Sequence, residues 1–189
     1  MEQMKQLWQD IMAWFKDHAE QCYKDMLSIT TGATDEQLHD LESVIGKTLP
    51  DDFKDYLRLY NKCYRVAFFE YTGVDTKRIV KNWKRLTELV KNGTFDTHQV
   101  FETTTGVRRV KWHPGWLPFA EDGGGNLICI DLAPPEGHEY GQVFYWENRG
   151  GPGDPIAPSF LTFVQWYRDE LQSGGYAYDE ASGIFEENI

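Results

Sequence analysis

Helical periodicity on both sides of a contiguous group of short β-rich runs is the feature of this chain that most narrows its fold. Val107 to Trp112, Trp116 to Ala120, Leu127 to Leu132 and Gln142 to Trp146 are separated by Gly, Pro and Asn, which is how consecutive antiparallel strands read. Arg65 to Tyr71 is aromatic and β-branched enough to add another, so a sheet of four to six strands is expected. Helices before and after such a group predict one α+β domain, with a mainly antiparallel sheet covered by helices on one face. The other face is then expected to be open and to carry function.

The helices can be placed from spacing and caps. Leu7, Ile11, Trp14, Phe15, His18 and Cys22 lie along one stripe and predict an N-terminal helical arm over 1–30. Thr34 and Gln37 form a capping box ahead of Leu38, Leu41 and Ile45, and Gly46 supplies a left-handed stop. Pro50 suits the first turn of another helix, with Phe53, Tyr56, Leu57 and Tyr60 as its apolar face. A longer helix over Thr76 to Asn92 presents Ile79, Trp83, Leu86 and Val90, and Gly93 ends it. Ser159 caps a final helix carrying Phe160, Phe163, Val164, Tyr167 and Leu171, stopped at Gly174-Gly175. These bounds give an α+β domain over 31–175 and an acidic, loosely held tail over 176–189.

With 189 residues, of which 41% are hydrophobic, the chain can bury a core of its own. It opens into an amphipathic helix without the zones of a signal peptide, and it has no apolar run of roughly 18 residues; export and membrane insertion are not expected. Cys22, Cys63 and Cys129 are odd in number and far apart, as for reduced cytoplasmic thiols. The net charge of -11 is unevenly spread. Residues 1–111 balance 17 basic against 17 acidic side chains, whereas 112–189 set Arg149 and Arg168 against 13 acids. Such a field repels nucleic acid and anionic membrane and draws in a basic protein surface; the plainer alternative is solubility.

The stretch Thr34 to Phe53, with its Leu41-Glu42 pair and Leu49-Pro50-Asp51-Asp52-Phe53, leading to Tyr56, Tyr60 and Asn61, resembles the opening signature of the SUKH superfamily. Trp112-His113-Pro114-Gly115-Trp116-Leu117-Pro118-Phe119-Ala120, then Asp122 to Asn126 with Gly124 and Gly125, then Asp131, Gly141-Gln142-Val143 and Ser159-Phe160, are similar to its later marks. One departure is Lys62-Cys63-Tyr64, where many members have Gly-Gly. The resemblance covers about Thr34 to Leu171 and implies a SUKH-like fold with a non-catalytic, protein-binding role. Many bacterial members are immunity proteins that neutralise polymorphic toxins, and fungal ones regulate cell-wall synthesis and usually carry long disordered flanks. It implies first a bacterial immunity protein acting in the cytoplasm, without a cofactor, and second a signalling regulator or scaffold.

On that expectation the partner-binding surface comprises Trp112, Trp116, Glu121, Asp122, Glu136, Glu139 and Glu147, with the carboxylates facing Lys and Arg of a toxin domain and Trp116 as central anchor. Aromatics such as Trp112, His113 and Trp116 near a sheet edge are more often core or rim than a ligand box or hot spot. The glycines after Asp122 lack P-loop spacing and read better as a hairpin turn than as a phosphate cradle. Lys77, Arg78, Lys81, Lys84, Arg85 and Lys91 could touch phosphate but read as a solvated helix face. His113, Cys129 and Asp131 have no motif that makes them a nucleophile set, and Asp131 fits a turn-fastening role. No Cys or His spacing indicates a metal site.

Overall fold

The computed structural model describes residues 1–63, 65–96 and 106–188. Helix α1 (Glu2–His18) buries Met4, Leu7, Trp8, Ile11 and Phe15, one face of the expected stripe. The stripe does not continue to Cys22 as a single helix. At buried Ala19 the backbone turns extended (φ -148°, ψ 69°) and a separate α2 (Glu20–Leu27) begins, its Glu20 N–H donated to the Glu180 carboxylate of the distant tail. Helix α3 (Asp35–Ile45) carries the capping box in full: Gln37 N–H donates to Thr34 Oγ1 at 3.2 Å and Thr34 N–H to Gln37 Oε1 at 2.9 Å. Gly46, with φ 70°, ends it. Glu42 then accepts the Leu49 N–H at 2.8 Å, which turns the chain into Pro50 and α4 (Asp51–Leu59), where Phe53, Tyr56 and Leu57 are buried.

Strands β1 (Ala67–Phe68) and β2 (Tyr71–Gly73) precede α5 (Thr76–Lys91); β3 (Trp116–Glu121), β4 (Leu127–Asp131), β5 (Val143–Glu147) and β6 (Gly151–Ala157) precede α6 (Phe160–Ser173). The six pair antiparallel in chain order, so the α+β class and the strand number agree with the sequence. Three details differ. The expected strand Arg65 to Tyr71 is a hairpin folded at Phe69-Glu70. Val107 to Trp112 forms no strand; it lies across the sheet, where Trp146 Nε1 donates to Lys111 O at 2.6 Å. Strand β6 was hidden by Pro152, Gly153 and Pro155, residues that a sheet edge tolerates because one side of its backbone needs no partner. Pro118 adjoins a bulge in β3, between the pairs Pro118–Cys129 and Ala120–Ile128.

Alternation along the strands sorts the core into two chambers. Leu117, Phe119, Ile128, Ile130 and Val143 face α1, α4 and α6 in the larger one. Trp116, Leu127, Cys129, Phe144 and Trp146 face the other way, and this second face is not open. Leu86 of α5 and the crossing segment's Val107 and Trp112 close it. Trp83 Nε1, donating to Pro114 O at 2.7 Å, clamps α5 to that segment. The tail is also ordered as a hairpin of β7 (Tyr176–Asp179) and β8 (Ile184–Glu187), with Phe185 buried against Phe15 and Phe69.

Candidate functional site

A six-strand meander places alternate hairpin turns at the same end of the sheet, and here three of them meet. Phe69-Glu70 joins β1 to β2, Asp122 to Asn126 joins β3 to β4, and Asn148 to Gly150 joins β5 to β6. Asn148 N–H donates to Asn126 Oδ1 at 2.9 Å, which ties the third turn to the second, and beside them Thr72 Oγ1 of β2 donates to Glu121 O of β3 at 3.3 Å. Asp122 accepts the N–H groups of Gly124 (2.8 Å) and Asn126 (2.9 Å) and the Asn126 side-chain amide (2.6 Å), which fixes the glycine turn.

Phe69 has φ 54°, a left-handed conformation unusual for an aromatic residue. Its ring is buried among Trp166, Tyr167, Phe185 and Tyr176, the last stacked at 3.9 Å. That anchorage offsets a backbone cost of about 1–2 kcal/mol. Glu70 is thereby held outward, exposed, beside Tyr71, whose ring lies 5.5 Å from that of Tyr145. Burial first, and then the charges of Glu70, Asp122 and Glu147, push the Tyr71 phenol up to about 12. Burial, Glu70 and the neighbouring tyrosines raise Tyr145 likewise, and burial, Glu187, Glu70 and Glu170 raise Tyr176. The result is a patch of three tyrosines ringed by carboxylates, with Arg149 as the cation on the third turn.

The expected binding residues divide between this patch and other places. Asp122 and Glu147 belong to it. Trp116 is 0% and Trp112 3% exposed; both are centres of the second chamber, their rings edge to face at 5.7 Å, and neither can anchor a partner. Glu121 is 6% exposed and internally paired, receiving Arg78 Nε at 3.1 Å, Arg78 Nη2 at 2.8 Å and Asn82 Nδ2 at 2.5 Å. It is a strut for α5 instead of an acidic tip. Glu136 and Glu139 are exposed, but on the β4–β5 connection at the opposite end of the sheet, about 13 Å away along β4. Glu70 was missed because it reads as part of a strand; an acid set between the aromatic pair Phe68-Phe69 and Tyr71 was the available signal for a turn.

Asp131 is buried, accepts Ala133 N–H at 2.9 Å and Gln142 Nε2 at 3.2 Å, and fastens the chain after β4. Burial raises its carboxyl despite those two bonds. Cys129 is fully buried, which pushes its thiol well up, and His113 Nδ1 is engaged by Gly115 N–H at 3.0 Å. Leu49, Phe53, Tyr56 and Phe160 are core; Pro50 and Ser159 are helix caps, Ser159 Oγ accepting Thr162 N–H at 3.1 Å. Of the departure at 62–64, Tyr64 lies outside the described residues. Among the described residues no cluster of His, Cys, Asp or Glu could hold a metal ion, and no helix is long and apolar enough to cross a membrane.

Residues 32–166 match the family described as SMI1 / KNR4 family (SUKH-1). The chain belongs to the SMI1/KNR4 family. The match spans the domain from the capping box to the first half of α6, through every strand of the large sheet. Within the family it is 26% identical over 189 residues to the cell wall biosynthesis/cell cycle regulator smi1 of Schizosaccharomyces pombe, covering 92% of this chain and 37% of that protein. It is 25% identical over 213 residues to the glucan synthesis regulatory protein of Neurospora crassa, covering 92% and 39%. It is 30% identical over 152 residues to an SPbeta prophage-derived protein of Bacillus subtilis, covering 72% and 76%. The chain thus spans less than two fifths of the fungal regulators and about three quarters of the prophage relative.

Proposed function

We propose that this SMI1/KNR4 domain is a non-catalytic binding module of the cytoplasm that neutralises a basic toxin domain by occlusion, using the tyrosine-ringed acidic patch. The observation that carries the reading is the convergence of Glu70, Asp122 and Glu147 around Tyr71 and Tyr145 at three neighbouring turns, two of them tied by Asn148 and Asn126. Carboxylates of one sign on a rigid frame steer a cationic partner, and the half-buried Tyr145 and Tyr176, packed beside the buried Tyr71, supply contact area at low entropic cost. If the toxin is a nuclease, the patch imitates the charge of its substrate. The match to most of a prophage-derived relative favours this role. The match of 92% of the chain to fungal regulators supports the second reading, a regulatory scaffold with protein partners.

The test is co-expression with the toxin encoded beside this gene, followed by affinity measurement on the purified pair. Rescue of growth and a complex weakened at least about tenfold by Glu70→Lys with Glu147→Lys and Glu187→Lys are expected. Full rescue by the triple variant with unchanged affinity removes the patch from the mechanism. Capture of a non-toxic signalling partner in place of a toxin moves the function to the second reading.

A further inference from the structure

On the α5 side of the same glycine turn the field changes sign. Two features that the sequence keeps about forty residues apart, the basic face of α5 and the Gly123-Gly124-Gly125 run, become opposite walls of one cleft of about 530 Å³. Arg78, Lys81, Asn82 and Arg85 fall at i, i+3, i+4 and i+7 and so share a helix face lining it. Its floor is the buried Glu121, which is saturated by Arg78 and Asn82. Lys81 and Arg85 are exposed and form no ion pair among the described residues.

The opposite wall is bare main chain. Gly123 (φ 77°) and Gly125 (φ 105°) adopt conformations that side-chain-bearing residues rarely take, and at Gly123 nothing lies within 4 Å of where a Cβ would stand. Among the described residues, the N–H groups of Gly123 and Gly125 have no acceptor. Asp122 stands beside this wall, but its oxygens are taken up by the N–H of Gly124 and by Asn126. Two uncommitted cations facing uncommitted backbone donors, on elements fixed at Trp83–Pro114 and Arg78–Glu121, make a preorganised receptor for a compact anion.

We infer that this cleft binds a phosphate monoester, presented as a phosphorylated serine or threonine of a partner protein. A phosphoryl group carries about -1.5 to -2 charges and three acceptor oxygens, matching two cations plus main-chain donors. The lining contains no aromatic ring on which a nucleobase could stack, which sets a phosphorylated side chain above a nucleotide. The inference is independent of the acidic patch and stands or falls without it.

The experiment is a titration of the full chain, followed by backbone amide NMR, with a capped Gly-phosphoserine-Gly peptide, its unphosphorylated twin, and AMP. Saturable shifts confined to Gly123–Gly125 and α5, given by the phosphopeptide and not by its twin, are expected. Lys81→Glu with Arg85→Glu should weaken binding at least about tenfold, while Lys81→Arg keeps it. Both positions are exposed, and an unchanged melting temperature of the double variant shows that folding is intact. Equal response to the two peptides, scattered or absent shifts, or a double variant that binds normally overturns the site. Tighter binding of AMP overturns the assignment to a phosphorylated side chain.

Discussion

Glu121 shows how a side chain's surroundings override its charge. In the sequence it is one of thirteen acids that make the second part of the chain negative; in the fold it is buried and tied to Arg78 and Asn82. Glu121→Ala should destabilise the protein by about 2 kcal/mol, because Arg78 keeps some access to water while Asn82 loses its acceptor. Glu121→Gln should recover part of this in urea unfolding; equal losses for Ala and Gln would show that the ion pair is not the cause. His113 gives a pH signature. Burial first, and then Arg108 and Lys47, hold its pKa below the ordinary 6.5. Its contribution is complete above that value and is lost as the pH falls towards the depressed folded value, because the unfolded chain takes up the proton more readily. Unfolding free energies measured from neutral to mildly acidic pH should decline, and His113→Asn, which preserves an acceptor for Gly115 N–H, should flatten the decline.

At the scale of elements, local signals that act through their own neighbours were readable. The Thr34–Gln37 box, the stops at Gly46 and Gly174 and the Ser159 cap all stand where hydrogen-bond chemistry demanded them. Thr34→Ala should cost about 1 kcal/mol in thermal or chemical unfolding. What the sequence concealed depends on distant partners. The break at Ala19 is completed by Glu180, 161 positions further along, and the strand-like run 107–112 lies as a lid because Trp112 and Trp146 meet edge to face at 5.7 Å. The candidate site was half legible for the same reason: Asp122 and Glu147 sit in visible turns, whereas the turn at Glu70 exists because Phe69 is pinned by the tail hairpin. Phe185→Ala should therefore cost about 2–3 kcal/mol and speed proteolysis within 176–188, which mass spectrometry of the fragments would reveal. A tail as resistant as wild type would contradict its docking.

For the molecule as a whole, one sheet serves as the shared wall of two apolar chambers, so neither can empty alone. Trp116→Ala, although distant from α1, should cost about 3–5 kcal/mol and leave a single transition with coincident far- and near-ultraviolet signals. Separated transitions would mean that the chambers unfold independently. The two margins of that wall have a further consequence. One is β1, two residues long, and the other is β6, interrupted by Pro152 and Pro155 and by irregular register. Neither offers the continuous main-chain ladder that an incoming chain could zip onto. Strand addition to the six-stranded sheet is thus disfavoured at both rims, and the same blunted rims guard a crowded population of these molecules against fibrous self-assembly through it.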